Sequence, residues 1–387
     1  MAKIKLSTEP YKGVRDFYPA DQFTQKYLFE TMARSCELFG YEEYSASVLE
    51  PTDLYRSKTS EEIVNEQTYT FLDRGEREVT MRPEMTPTLA RMIAGKSREL
   101  AFPVRWYSVA NFFRYEQVRK GRQREFWQLN ADILGAPGVE ADAEILSLAH
   151  TIMRTFGADE RNFEIRVSDR RFLDTAYSEC GIEEGERAHV TRLLDKRAKL
   201  DDFDAQLKTL LGLRAETLVA YLDRTTSTAY LESLQAQVKA LGVGNMVVDT
   251  TIARGFDYYT GMVFEVFDTS GQNQRSLFGG GRYDGLTSVF GGDAIPAVGF
   301  AVGDVALRDF LETHNLLPKY APATELMLCV VEDAALPHAT KLAQDLRRED
   351  VSVAVNFSGK RIGDQIRQAD KMSVPFAGPL VRRIVRS

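Results

Sequence analysis

The chain has 387 residues, of which 44% are hydrophobic and 27% charged, and a net charge of −7. That is length for two or more domains and the composition of an ordinary soluble globular protein. An acidic balance excludes a global basic footprint, so any polyanionic partner has to be met by local patches.

Three cysteines, Cys36, Cys180 and Cys329, lie far apart, and with four scattered histidines they offer no metal-ligand spacing. No metal site is expected from them, and reduced thiols suit a cytoplasmic location. The opening MAKIKLSTEP lacks the apolar core of a signal peptide. No run approaches the roughly 20 apolar residues of a membrane span, so no membrane partner is expected.

In chain order, Asp21 can cap a helix in which Leu28, Met32, Cys36 and Phe39 recur at helical spacing up to Gly40. GYEEYSASVLEPTDLY follows. TYTFLDRGEREVTM reads as strand, turn and strand, and a helix begins at Thr88–Met92. Arg82-Pro83-Glu84-Met85-Thr86 is therefore a strand-to-helix junction, which presents side chains and free backbone N–H groups.

Val104–Gly135 reads as two strands joined by a basic turn. Alternation puts Phe112, Arg114 and Glu116 on one face, and Gln128, Asn130 and Asp132 on one face of the return strand. A polar face thus backs onto Trp127, Leu129 and Ile133, and Arg119, Lys120, Arg122 and Arg124 overhang it on a mobile loop.

An amphipathic helix follows Gly135 as sheet cover, then FEIRVSDRRFL as a strand and turn. Residues 174–242 hold no proline and few aromatics, and read as a helical insertion. MVVDTTIARGFDYYTGMVFEVF is read as strand, glycine turn and strand, and LFGGGRYDGLT carries three successive glycines. AIPAVGFAVGDVALRDFL is a strand followed by a helix. After the linker THNLLPKYAPAT, elements alternate β-α-β-α-β to the end.

Phe-Arg-x-Glu, a basic loop and Arg-Glu-Phe-x-Gln, in that order, resemble motif 2 of class II aminoacyl-tRNA synthetases, most closely that of histidyl-tRNA synthetases. ARGFDYYTGMVFE resembles the histidine-specific signature of the same family, and GGGRYDGL matches it again. GYEEYSASVLEPTDLY looks like motif 1, with Ser47 where a proline is usual. The resemblance runs from about residue 11 to 378.

It implies an α+β fold: a class II synthetase-like antiparallel sheet flanked by helices, a helical insertion, and a truncated α/β C-terminal anticodon-binding-like domain. The expected divisions are 1–173 and 243–312 for the two parts of the catalytic domain, 174–242 for the insertion, 313–324 for the linker and 325–387 for the tail. It further implies a cytoplasmic homodimer acting on L-histidine, ATP with Mg2+, and tRNA(His).

By the same resemblance Arg114 and Arg254 act on the α-phosphate as catalytic cations. Glu116, Arg122 and Phe126 complete the ATP site. Glu84, Thr86 and Gln128 hold the α-amino group of histidine, Asp132 and Tyr259 hold its ring, and Tyr258 and Tyr283 line the same site. Arg119, Lys120 and Arg124 face the tRNA acceptor end. In the motif 3 region Ala306 occupies the place of the family's arginine. Arg308 lies about 200° further round a 3.6-residue helix and cannot substitute for it. Two other readings stand beside the ligase. One is the non-catalytic regulatory subunit of ATP phosphoribosyltransferase, favoured by Ala306 and the short tail but opposed by the full phosphate set. The other is a histidine-binding sensor.

Overall fold

The computed structural model describes residues 7–56, 67–118, 122–194, 197, 200, 202–224, 227–250, 252, 258–273 and 275–380. Its helices are α1 Pro19–Leu38, α2 Thr52–Arg56, α3 Thr86–Lys96, α4 Val139–Thr155, α5 Arg170–Glu179, α6 Glu184–Leu194, α7 Phe203–Leu211, α8 Arg214–Arg224, α9 Ala229–Ala240, α10 Asp304–Thr313, α11 Leu336–Arg348 and α12 Ile362–Lys371. Its strands are β1 Glu42–Glu43, β2 Leu49–Pro51, β3 Tyr69–Leu72, β4 Glu78–Met81, β5 Val104–Phe113, β6 Glu125–Leu134, β7 Phe163–Asp169, β8 Met246–Val248, β9 Met262–Asp268, β10 Ser276–Arg282, β11 Ala297–Gly303, β12 Leu326–Val330, β13 Val353–Asn356 and β14 Phe376–Leu380.

The chain divides into two compact units. One comprises residues 28–317 with the segment up to Asp16; the other comprises residues 17–27 and those from 318 onward. In the second, a parallel sheet of order β13-β12-β14 carries α11 and α12, as the alternating pattern predicts.

The first unit is built on an eight-stranded sheet of order β1-β5-β6-β11-β10-β9-β7-β8. It is antiparallel apart from the edge pairs β1/β5 and β7/β8. A second sheet, β2-β4-β3, is antiparallel and leads into α3. Arg82 stitches the two sheets: its guanidinium donates to the carbonyls of Asn111 (2.8 Å) and Ala46 (2.9 Å), and its own carbonyl accepts from Phe113 N–H. Pro87 then enters α3 at a position where its missing N–H costs nothing.

The β5/β6 hairpin differs from the expected half-exposed one. Asn130 and Asp132 are buried, and so is every residue of β6 from Leu129 to Leu134. β6 is interior to the sheet, between β5 and β11. Over Asp132's face Met85, which precedes α3, and Leu89 and Ile93 of α3 join Phe112, Leu134, Tyr258 and Tyr283 in one apolar cluster. β5 ends at Phe113, so Arg114 and Glu116 leave the strand rather than continue its face. Arg170–Glu179 is also helix rather than turn, capped by Asp169, whose carboxylate accepts from Arg171 N–H.

Helices α5 to α8 share a cluster of their own from Phe172 to Leu222. Helix α9 packs instead against α4, which is why α4 is buried on nearly every side.

The glycines of β10 answer a lack of room, not a turn. A Cβ on Gly280 would stand 2.0 Å from the Gly299 carbonyl oxygen, and one on Gly281 2.6 Å from that of Met262. Gly280→Ala is therefore expected to cost about 3 kcal/mol or more, whereas Gly285→Ala, which meets nothing within 4 Å, should stay within about 0.5 kcal/mol of wild type. Denaturant midpoints of the two variants check this, and equal midpoints would refute the packing argument.

Candidate functional site

Asp132 sits where β6 faces Trp106 of β5 on one side and Gly299 of β11 on the other. A side chain at 299 would occupy its place, since a Cβ there would lie 1.9 Å from Asp132 Oδ1. The Tyr283 hydroxyl donates to the same oxygen at 2.6 Å. Burial pushes the Asp132 carboxyl up to about 7, the Tyr283 bond pulling the other way. Tyr283 is held well above the ordinary tyrosine range by its burial, and further by the Asp132 charge. It remains a hydrogen-bond donor at any working pH.

A second acidic pole forms at the strand-to-helix junction. The Tyr258 hydroxyl donates to Glu84 Oε2 at 3.2 Å, close to the Thr86 hydroxyl. Glu84 is 4% exposed. Tyr258 lies tilted against Tyr259, ring centres 5.0 Å apart, and edge-on to Tyr283 at 5.9 Å. The two carboxylates are thus joined by a continuous aromatic wall. A carboxylate beside hydroxyls suits an ammonium donor, and a buried carboxylate beside an O–H donor suits a polar ring with an N–H.

Arg114 emerges from β5 beside this junction. Its Nε donates to the Pro83 carbonyl at 2.9 Å, and its guanidinium stands 5.4 Å over the Phe126 ring. Phe126 is in turn 5.9 Å from Phe112. Glu116 and Arg122 pair with each other at 2.8 Å. Gln128 is half-buried in the first half of β6, opposite Gly303. Arg119, Lys120 and Arg254 fall outside the described residues.

Arg124 stands apart from the expected exposed loop. It is 9% exposed, its guanidinium 3.8 Å over Tyr115 and bonded to the Tyr11 hydroxyl at 3.1 Å. Its backbone N–H donates to the Gly13 carbonyl. In this structure it clamps the N-terminal segment onto the hairpin. Tyr11, 113 positions away, and Tyr115 at the other side of the same hairpin turn it inward.

Asp304 carries a role that the sequence reading left unassigned. At the start of α10 its carboxylate accepts the Trp127 N–H at 3.0 Å and pairs with Arg15 at 2.6 Å, and it is 1% exposed. It therefore ties the start of β6 to the N-terminal segment. Arg308 is engaged along its own helix by Glu312 at 2.8 Å. Only its spacing to Glu312 hinted at that.

A strand-to-helix junction leading out of the small sheet, with a basic hairpin and a glycine-rich strand in the large, mainly antiparallel one, makes the catalytic-domain fold of class II synthetases. Solved structures share it. One from Bacillus halodurans, described as an ATP phosphoribosyltransferase regulatory subunit/histidyl-tRNA synthetase, has a TM-score of 0.80 at 22% identity, covering 97% of this chain and 98% of that one. The histidyl-tRNA synthetase of a Nostoc species gives 0.79 at 23%, covering 96% and 91%.

Residues 13–307 match the family model described as histidyl-tRNA synthetase, and residues 325–378 that of an anticodon binding domain. A histidine–tRNA ligase of Leptospira biflexa is 41% identical over 96% of this chain and 89% of its own length. The chain belongs to the histidyl-tRNA synthetase family.

The Asp132 carboxyl titrates near 7 when folded and near 3.9 when unfolded. Its folded pKa is raised, so the folded state holds the extra proton between those values. Stability then falls as pH rises from about 4 to about 7. Asp132→Asn, which keeps an acceptor for Tyr283, should stabilise the protein by about 3–4 kcal/mol at pH 8 but only about 1 kcal/mol at pH 4.5. Unfolding curves at the two pH values test this, and equal gains would contradict the assigned titration.

Proposed function

We propose that this protein is a histidine–tRNA ligase. It activates L-histidine with ATP to histidyl-adenylate and pyrophosphate, then transfers the histidyl group to the 3′ end of tRNA(His). The observation that carries this reading is the pair of buried acidic poles, Glu84 with Tyr258 and Asp132 with Tyr283, on one aromatic wall. A carboxylate for an ammonium at one pole and a carboxylate for a ring N–H at the other suit the two ends of one amino acid with a polar ring.

In the first step a histidine carboxylate oxygen attacks the α-phosphorus, and the bond to pyrophosphate breaks. Arg114 and Arg254 meet the charge that develops on the phosphoryl oxygens, as preorganised cations do in phosphoryl transfer. Phe126 stacks on the base, Glu116 accepts from its amino group, and Arg122 exchanges Glu116 for phosphate. Glu84, Thr86 and Gln128 hold the α-ammonium. Asp132 and Tyr259 bond the ring nitrogens, and Tyr283 orients Asp132. In the second step the terminal ribose hydroxyl attacks the activated carbonyl carbon and AMP leaves. Positioning is the principal contribution of the protein in both steps.

Among the described residues no cluster of three or more His, Cys, Asp or Glu could hold a metal ion. Mg2+ belongs in this reading to the nucleotide substrate, whose phosphates supply its oxygens. Arg119 and Lys120 are the cations for the acceptor end, and Arg124 serves by holding their loop. The C-terminal unit's likeness to an anticodon binding domain supports a tRNA partner. The motif 1 segment supports a homodimer. The three cysteines are free and buried, which suits the cytoplasm. No described helix is long and apolar enough to cross a membrane. The regulatory-subunit reading is not favoured: curated relatives at 37–41% identity are named histidine–tRNA ligase.

Histidine-dependent ATP–pyrophosphate exchange tests the reading. Wild-type protein should catalyse it, and Arg254→Ala or Arg114→Ala should each lose about 10²–10³ in rate. Asp132→Ala should raise the histidine KM at least about tenfold and leave the ATP KM nearly unchanged. No exchange by the wild-type protein, or equal shifts in both KM values, would defeat the assignment.

A further inference from the structure

The helical excursion returns to the sheet through Tyr230, in the first turn of α9. Its hydroxyl donates to Asp142 Oδ2 of α4 at 2.5 Å, while the Arg171 guanidinium lies 4.1 Å over its ring. Asp142 pairs with Arg282 at 2.7 Å, and the two are 1% and 4% exposed. Arg282 spends its remaining donors on the carbonyls of Ala136 and Gly138 and on Asp284. Its own carbonyl accepts the Thr260 N–H. The next residue is Tyr283, whose hydroxyl lies on Asp132.

A buried guanidinium–carboxylate pair is weak evidence for stability, because its desolvation offsets its attraction. Its use is geometric. Five fixed donors hold one orientation, and only while each acceptor keeps its own partners. Asp142 has four acceptor sites, of which the Tyr230 hydroxyl takes one that Arg282 does not.

We infer that Tyr230 is a positioning residue for the histidine site: through Asp142 and Arg282 it sets the place of Tyr283, and so couples the docking of α9 to ring recognition. This rests on the reading of Asp132 and Tyr283 as part of the ring site, and adds to it a specificity residue far from the substrate.

Steady-state exchange with Tyr230→Phe, Thr228→Ala, Tyr283→Phe and Tyr230→Phe/Tyr283→Phe tests it. Thr228 caps the same helix through its bond from Leu231 N–H and does not touch Asp142. Tyr230→Phe should raise the histidine KM about five-fold, the equivalent of one ordinary hydrogen bond, and leave the ATP KM unchanged. Thr228→Ala should lower the melting temperature and leave both KM values alone. In the Tyr283→Phe background, Tyr230→Phe should add less than about two-fold, because residues acting through one another are not additive. The inference is overturned if Tyr230→Phe only lowers the melting temperature, moves both KM values together, or keeps its full effect without the Tyr283 hydroxyl. If Tyr283→Phe itself leaves the histidine KM unchanged, the ring-site reading falls and the inference with it. A raised KM in Tyr283→Phe with none in Tyr230→Phe overturns the inference alone.

Discussion

A carboxylate in the interior of a β-sheet is the constraint around which this site is organised. Burying an unpaired charge costs several kcal/mol, and a protein either neutralises the group or surrounds it with partners. At Asp132 both occur. Its proton is retained up to about pH 7, and the Tyr283 hydroxyl donates to it. Room for the carboxylate exists because β11 carries Gly299 opposite it. Room for the Tyr259 ring exists because β10 carries Gly281, where a Cβ would stand 2.9 Å from it. An isolated fold would gain stability by losing this acid. Its retention makes sense if a ligand brings the missing partner.

Local pattern carried much of the architecture. The β5/β6 hairpin, the strand-to-helix junction at 82–86, the strand and helix at 297–313 and the alternating C-terminal unit all follow from periodicity and turn residues read over short windows. What the windows could not show was which strand lies beside which. β6 looks half-solvated from its own alternation, yet it lies inside the sheet between β5 and β11, with α4 and α10 packed on it and Leu89 and Ile93 of α3 clustered with its Leu134.

The same limit applies to side chains. Asp132 and Tyr283 are 151 positions apart, and Asp142 and Arg282 140. Nothing in either neighbourhood announces the other. The family resemblance named Tyr283 as a lining residue but not Asp132 as its partner, and it was silent on Asp142 and Tyr230. Arg124 shows the converse: a basic loop suggests exposed cations, while Tyr11 and Tyr115 draw this one inward. In the motif 3 region Ala306 reads as a loss, but Asp304 two residues earlier gains a structural task, anchoring β6 and Arg15.

The central claim, that the buried Asp132 pole recognises an imidazole, is tested most directly by equilibrium dialysis. Histidine is compared with its thienyl isostere, which keeps ring size and lacks both ring nitrogens. A site built on buried hydrogen-bonding groups leaves them unpaired against such an analogue, so histidine should bind at least about 10³-fold tighter. Affinities within about tenfold of one another would mean that the pocket reads shape alone, and the role given to Asp132 would be wrong.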